Sequence, residues 1–241
     1  MKSSFGNAVV LTLWEQVAAL PPARRSLCLL AGLSHSTDSL GDLSVGERDR
    51  RLLLIRNELF GDRIEGVTEC PNCGVRVELS FSIANVAGET TILAPSPLHS
   101  DGYEVRWRLP TSQDLADLAD ETVPSRIRKK LLERCLLDVR HHRNEVSPLE
   151  CPENVIEKVC EAMSLADPFG DTRLDMECPE CGHSWQAAFD IGTYLWREID
   201  VWAKRLLGEV HRLASAYGWC ERDILELSAQ RRRMYLEMVG A

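Results

Sequence analysis

The chain has 241 residues, nine cysteines and a formal net charge of −9 at pH 7. A chain of this length can bury a sizeable core without disulfides, and one or two domains are expected. The acidic excess argues against a surface that neutralises nucleic-acid phosphates. The apolar stretch 8–14 runs directly into Glu15 and Gln16, which predicts neither a signal peptide nor a membrane span. We therefore expect a soluble protein in the reducing cytoplasm.

Residues 1–62 are predicted to form an N-terminal helical region. Apolar spacing indicates one helix that ends before Pro21 and a second over residues 23–31, with Gly32 as its C-terminal glycine. A third helix begins after Ser44, which has the spacing of a capping box with Glu47. This helix leads directly into the first pair of cysteines.

Residues 63–84 are predicted to form a hairpin whose tip is Cys70-Pro71-Asn72-Cys73-Gly74. Apolar and polar residues alternate after the tip, as in a half-buried strand. Proline fixes φ in the turn, and glycine tolerates the positive φ that returns the chain, so both thiolates can reach one cation. Ser82 is a good residue to cap a following helix.

Residues 85–170 are predicted to form an inserted strand-plus-helices module. Its first part, residues 86–101, has the glycine, proline and serine content of a loop, and a strand is predicted from Tyr103 to Leu109. Three helices are expected after that strand, and they cover residues 111–119, 125–139 and 153–163.

Residues 171–191 repeat the first hairpin. The tip Cys178-Pro179-Glu180-Cys181-Gly182 is followed by Phe189 and Ile191 at the spacing that Phe81 and Ile83 have after the first tip. Beyond this repeat, residues 192–241 are predicted to be a helical tail. It consists of one long amphipathic helix that ends at Gly218 and two short helices over residues 219–227 and 229–239.

The two matched tips predict a single closed metal site. A structural zinc ion takes four tetrahedral ligands, and each tip supplies two thiolates. We therefore assign Cys70, Cys73, Cys178 and Cys181 as ligands of one structural zinc ion. Two alternatives stay open: a rubredoxin-like iron site, since soft thiolates also suit iron, and four unrelated core cysteines. The overall prediction is an α+β fold, mostly helical, with the two knuckle hairpins on either side of the insertion.

The sequence contains no recognisable catalytic constellation. It has no phosphate-binding glycine loop, no Gly-x-Ser-x-Gly motif and no histidine pair spaced for a zinc protease. His183 follows the second tip, but four thiolates already complete the coordination shell, so no metal role is assigned to it. The other five cysteines lack metal spacing and are expected to be buried and inert: Cys28, Cys135, Cys151, Cys160 and Cys220.

Several phrases together resemble a known family. They are Leu13-Trp14-Glu15, Gly46-Glu47-Arg48-Asp49, Leu59-Phe60-Gly61, the two knuckles, Arg108-Leu109-Pro110-Thr111-Ser112, and Tyr217-Gly218-Trp219 with Ile224-Leu225. In this order the chain resembles the baseplate hub assembly chaperones of T-even-like contractile phages, which are also found in bacterial contractile injection systems. One departure is Cys220, where a serine or threonine cap is expected.

The resemblance implies a non-enzymatic protein that assembles, or forms part of, the baseplate of a contractile particle. Its partners would be baseplate, hub or other tail proteins, contacted through the C-terminal helices, and it could be incorporated into the assembled particle. The alternative is a zinc-ribbon regulator that binds nucleic acid. That alternative depends on the knuckles and on the basic run Arg231-Arg232-Arg233, and the acidic net charge opposes it.

Overall fold

The structure is a computed structural model that describes residues 5–34, 39–86 and 95–240, except for the side chains of residues 85 and 86. The α-helices of these ranges are α1 Asn7–Val17, α2 Pro22–Leu33, α3 Val45–Phe60, α4 Ile83–Val86, α5 Ser112–Asp117, α6 Pro124–Cys135, α7 Glu153–Ala166, α8 Ile191–Tyr217, α9 Glu221–Glu226 and α10 Ala229–Val239. The strands are β1 Arg63–Glu69, β2 Arg76–Ser82, β3 Leu98–Ser100, β4 Tyr103–Trp107, β5 Leu136–His141, β6 Asn144–Glu145, β7 Arg173–Glu177 and β8 Ser184–Ala188.

The strands form three small antiparallel sheets. Strands β1 and β2 make one hairpin, strands β7 and β8 make another, and the insertion holds a four-stranded sheet in the order β3-β4-β5-β6. This mixture of helices with small antiparallel sheets confirms the α+β class. The five segment boundaries remain a prediction.

The main hydrophobic core lies between helices α1, α2, α3 and α8 and the bases of the hairpins. Leu30 of α2, Leu52 of α3, and Leu195 and Ile199 of α8 are completely shielded from solvent. Ile64 of β1 joins the same cluster. The first hairpin is therefore fixed to the helical core at its base, whereas its cysteine-bearing tip lies outside this core.

The insertion has a core of its own and is also fixed to α3. Val105 of β4, Val139 of β5 and Val155 of α7 form the centre of that second core. The backbone N–H of Gly46, at the start of α3, donates to Asp167 Oδ2 at 2.8 Å. Asp167 is itself buried and directly follows α7, so a polar contact inside the protein joins the two regions.

The C-terminal helices fold back onto the end of α8. Leu213 of α8 and Ile224 of α9 are fully buried in one hydrophobic cluster. The rings of Tyr217, Trp219 and Tyr235 also stack or meet edge-on, with centroids 4.7 to 5.8 Å apart. The predicted order of one long helix and two short ones is confirmed here, with Gly218 in the left-handed conformation that ends α8.

One helix boundary in the N-terminal region was predicted wrongly. Gly32 does not end α2, because the helix continues to Leu33. A Cβ at position 32 would lie 2.7 Å from a side-chain methyl of Leu13. The glycine therefore allows α1 and α2 to approach closely, which is a packing role that the local sequence pattern does not distinguish from a helix end.

Two strands in the insertion also replace predicted features. Residues 136–139 belong to strand β5 and not to a helix, because helix α6 ends at Cys135 and Val139 pairs with Val105. Leu98–Ser100 forms strand β3 within the predicted loop 86–101, of which residues 87–94 lie outside the described ranges. Strand β5 is extended because it pairs with the distant strand β4, whereas β3 pairs with the adjacent β4 in a short hairpin. Strand pairing overrides local propensity in both places.

Across residues 5–34, 39–86 and 95–240, no helix is both long enough and apolar enough to cross a bilayer. The longest helix, α8, alternates buried and exposed positions along its length.

Candidate metal centre

Each hairpin tip closes through the same set of backbone contacts. Gly74 N–H donates to the Cys70 carbonyl, and Gly182 N–H donates to the Cys178 carbonyl, both at 2.9 Å. Gly74 and Gly182 have φ of +73° and +68°, a conformation that side chains disfavour. The repeated sequence therefore builds the same turn twice, as the Cys-Pro-x-Cys-Gly pattern predicts.

The two tips meet, so that all four cysteine sulfurs form one cluster. Cys70 Sγ lies 3.7 Å from Cys181 Sγ, and Cys73 Sγ lies 3.6 Å from Cys178 Sγ. The four sulfurs are all within 4.8 Å of one another. Four sulfurs placed tetrahedrally at the usual zinc–sulfur distance would be about 3.8 Å apart. The geometry and the chemistry of this donor set therefore fit one tetrahedral metal ion, and the distances are far longer than a disulfide bond.

The cluster has a buried side and an exposed side. Cys70 and Cys178 are 2% and 1% exposed, whereas Cys73 and Cys181 are exposed. Val77 is buried beside the cluster, with Val75, Met176 and Trp185 partly buried around it. These few apolar side chains are the only buried cluster at the tips in the described part of the chain, so the tips have a much smaller core than the bases.

The thiols of the cluster differ in acidity. The Asn72 side-chain amide, 3.5 Å from Cys181 Sγ, donates to that sulfur and lowers the pKa of Cys181 to about 6. A hydrogen bond from the Val75 backbone N–H lowers the pKa of Cys73, but desolvation and the three neighbouring sulfurs outweigh it and raise the pKa to about 12. Because the pKa of Cys73 is raised, this thiol is protonated at neutral pH without a cation, and binding a cation would release its proton.

Two contacts that the sequence did not predict join α8 to helix α3 and to strand β1 of the first hairpin. Arg56 of α3 is buried and forms a two-pronged ion pair with Glu198 of α8, with N–O distances of 2.8 and 2.7 Å. The Tyr194 hydroxyl accepts from the Glu65 N–H at 3.2 Å and donates to the Glu65 carbonyl at 2.8 Å. These partners are more than a hundred residues apart, so no local spacing reveals them.

The repeated phenylalanines meet at the bases, as their matched positions allow. The rings of Phe81 and Phe189 contact each other edge-to-face, with centroids 5.4 Å apart. The two copies of the repeat are therefore in contact at both ends: through sulfur at the tips and through aromatic rings at the bases.

Other residues singled out from the sequence have different surroundings. The His183 ring lies parallel to Trp185 beside the second tip, with centroids 6.2 Å apart. Cys135 and Cys151 are buried, as predicted. The prediction is wrong for Cys160 and Cys220, which are both exposed. Cys160 lies on α7, and Cys220 directly precedes α9.

The basic run near the C-terminus is not one continuous cationic surface. Arg232 is 3% exposed and pairs with Glu209 at 2.9 Å, while also donating to the Leu227 carbonyl at 2.6 Å. Its role is to fix α10 against α8. Only Arg231 and Arg233 of the run face solvent.

A family model matches more than half of the chain. The model of a family described as T4 bacteriophage base plate protein matches residues 29–196. The chain belongs to this family. The matched segment contains both hairpins, all four clustered cysteines and the whole insertion. No curated protein matches the chain, and no solved structure matches it.

Membership of the family supports the resemblance drawn from the sequence at the level of a T4-like phage baseplate protein. The matched range ends within the first turns of α8. The C-terminal phrases beginning at Tyr217 are thus outside it, although they contributed to the resemblance.

Proposed function

We propose that Cys70, Cys73, Cys178 and Cys181 bind one structural zinc ion. The support is a donor set of four sulfurs, at separations close to those of a tetrahedral thiolate site. All four coordination positions would be filled by protein, which leaves no place for a substrate or a reactive water. The ion would therefore act on the fold and not on a reaction.

The ion would also link two distant parts of the chain. Cys73 and Cys178 are 105 positions apart, and the insertion lies between them. On this proposal, residues 85–170 form a module that is closed off by the two hairpins, residues 63–84 and 171–191. Residues 1–62 and 192–241 supply the helical regions on either side.

The function that best fits the molecule is non-enzymatic work in a contractile particle. We infer that the protein assembles, or forms part of, the baseplate of a phage tail or a contractile injection system. The family match is the observation that carries this conclusion. It would be made in the bacterial cytoplasm and could remain in the finished particle, and its partners would be baseplate, hub or other tail proteins.

The C-terminal helices offer a surface for such a partner. Met234 and Met238 of α10 are 51% and 62% exposed, and they lie one helical turn apart on the outer side of that helix. Methionine is flexible and is frequent at protein-binding surfaces. Because Arg232 fixes the opposite side of α10 to Glu209, the methionines are presented on a supported helix.

Metal analysis of the purified protein tests the first part of the proposal. We expect one zinc ion per chain, and iron in its place would overturn the zinc assignment. Deletion of the gene in the host cells tests the second part, because tails without complete baseplates are expected. Normal functional particles after deletion would contradict the assembly role.

The contact surface is tested by co-purification of tail proteins with a tagged chain. Met234→Glu with Met238→Glu should reduce the recovered tail proteins, because the change places two charges in the proposed contact. Leu165→Glu is the matched control, since Leu165 is 74% exposed on α7 in the insertion. Equal loss in both variants would argue against α10 as the contact.

A further inference from the structure

A groove runs between the two hairpins and the first half of α8. Its volume is about 750 Å³, and α8 contributes to its lining from the cap Asp190 as far as Arg205. Small or apolar side chains form the sides, namely Gly66, Leu79, Leu174 and Ala187. Val67 and Val201 add apolar surface that is 50% and 68% exposed.

Strand β1 presents unpaired backbone groups to this groove. In an antiparallel pair, alternate residues bond across the pair and the others direct their N–H and C=O groups outward. The bonds from Cys70 N–H to Val75 and from Ile83 N–H to Asp62 fix which residues face the partner strand. Glu65 and Val67 therefore face outward. The Tyr194 hydroxyl binds both groups of Glu65, whereas Val67 has no such partner among the described residues.

Strand β8 repeats this arrangement on another side of the groove. The bonds from Cys178 N–H to His183 and from Phe189 N–H to Thr172 place Ala188 among the outward-facing residues. Ala188 also lines the groove. Two short strands thus offer free edges at one site, and an uncovered strand edge is a template for pairing with an added extended segment.

The acidic side chains of the groove have partners within the protein, whereas its two arginines lack strong acidic partners in the part of the chain that the structure describes. Among its acidic groups, Glu198 pairs with the buried Arg56 and Asp190 caps α8, while Glu65 has an exposed ion pair with Arg63. Arg197 is exposed and has no acidic partner in the described ranges. Arg205 has only a 3.4 Å contact with Glu209, whose other oxygen holds Arg232.

We propose that this groove binds an extended acidic segment of a partner protein, which pairs with the free edge of β1 and places its carboxylates on Arg197 and Arg205. The segment would run over α8 and pack an apolar residue against Val201. This inference names the kind of segment that a partner contributes, and it rests on the proposed function only for the source of that segment.

The spacing of the α8 side chains suits an extended chain. Arg197, Val201 and Arg205 are four residues apart, or about 6 Å along a helix. Alternate side chains on one side of a strand are about 6.6 Å apart. An acidic–apolar–acidic pattern at every second position of the segment therefore matches the three α8 residues. Two arginines next to free backbone edges favour such a peptide over nucleic acid, which requires a larger cationic surface.

The test uses the purified full-length protein and a fluorescein-labelled peptide, Thr-Glu-Thr-Val-Thr-Glu-Thr, followed by fluorescence anisotropy. Saturable binding is expected, and it should weaken about tenfold in the Arg197→Glu, Arg205→Glu double variant, because two exposed ion pairs are lost. Arg212→Glu is the matched control, since Arg212 is exposed on α8 outside the groove. Binding by this control should equal that of the unchanged protein.

Two further peptides separate charge from backbone pairing. Lysine in place of both glutamates should abolish binding. In the second peptide, the backbone amide nitrogens along one edge are methylated. This peptide keeps its carboxylates but loses the N–H groups that would pair with β1, so binding should weaken about tenfold. Equal binding by the methylated peptide would overturn the pairing with β1.

The remaining outcomes also decide the proposal. An absence of saturation up to about 1 mM peptide, or a double variant that binds normally, would overturn it. A single-stranded oligonucleotide that binds through Arg197 and Arg205 while the acidic peptide does not would also overturn it. Because these experiments use purified protein, they can fail while tail proteins still co-purify, so failure of the groove is distinguishable from failure of the assembly role.

Discussion

The tips and the bases of the two hairpins are held together by different interactions. At the tips, four sulfurs meet with few buried apolar side chains around them. At the bases, Ile64, Ile83 and Ile191 enter the large helical core, and Phe81 contacts Phe189. The difference separates two ways of joining distant chain segments. A cation site can hold tips that lack enough apolar surface, whereas the bases are stabilised by burial.

The largest effect is expected when one cysteine of the cluster at the hairpin tips is replaced. On the zinc proposal, Cys178→Ser should lower the metal content from one ion per chain to none, because a closed structural site needs four ligands. Structural zinc binding is worth on the order of 10 kcal/mol in small domains, so hydrogen exchange should rise sharply at residues 70–75 and 178–183. Exchange in α8 should change much less.

Cys160→Ser is the control for that experiment, since Cys160 is an exposed cysteine outside the cluster. Its metal content and exchange pattern should match those of the unchanged protein. Full metal content in the Cys178→Ser variant would count against the site.

At the hairpin bases, the corresponding test is the core substitution Leu195→Ala. Leu195 is completely buried in the core that holds both hairpins. The variant should lose about 2–5 kcal/mol of unfolding free energy, through lost burial and the cavity that remains. Urea denaturation measures this loss. Val201→Ala on the exposed side of α8 should change stability by less than about 0.5 kcal/mol, and similar losses in both variants would contradict the assigned core.

A smaller effect is expected at the polar contact between α3 and α8. Arg56→Met leaves Glu198 without its partner and removes the donor to the Gly61 carbonyl. About 2 kcal/mol should be lost, because hydrogen bonds to charged groups are worth roughly 1.5–3 kcal/mol. Thermal or urea unfolding of the variant gives the value.

Arg63→Met is the matched control, because the ion pair of Arg63 with Glu65 is exposed and such pairs contribute little. Adding Glu198→Gln to Arg56→Met should cost less than the sum of the two single changes. Strict additivity would show that the pair is not coupled.

The smallest effect sharpens the description of the β1 edge. Tyr194→Phe removes the hydroxyl that binds the Glu65 backbone, at an expected cost of about 1 kcal/mol. The Glu65 amide should then exchange faster with solvent, which nuclear magnetic resonance can follow. Tyr217→Phe, whose hydroxyl has only a 3.4 Å contact, should leave that amide unchanged. Unaltered Glu65 exchange in the Tyr194→Phe variant would contradict the contact.

The sequence predicts much of the local structure, because that structure depends on local rules. The two tips, the helix that begins after Ser44, the long helix ending at Gly218 and the Ser228 cap all follow from spacing and capping, and the structure contains them. The repeated tips also indicated that four cysteines would come together, as they do.

Features that depend on distant partners were not accessible in the same way. Gly32 lies inside α2, where the missing side chain leaves room for Leu13, and residues 136–139 are extended because β5 pairs with β4. Neither partner is adjacent in sequence. Arg56 and Glu198, which are 142 positions apart, carry no spacing signal at all. Knowledge of the tertiary arrangement is needed before these residues can be paired.

The chain separation within the cysteine cluster has a consequence during synthesis. Cys70 and Cys73 leave the ribosome long before Cys178 and Cys181, since 105 positions divide the facing sulfurs. On the zinc proposal, the first two thiols lack their other two partner ligands while the insertion is translated. A nascent chain stalled within the insertion would then carry only half of the ligand set.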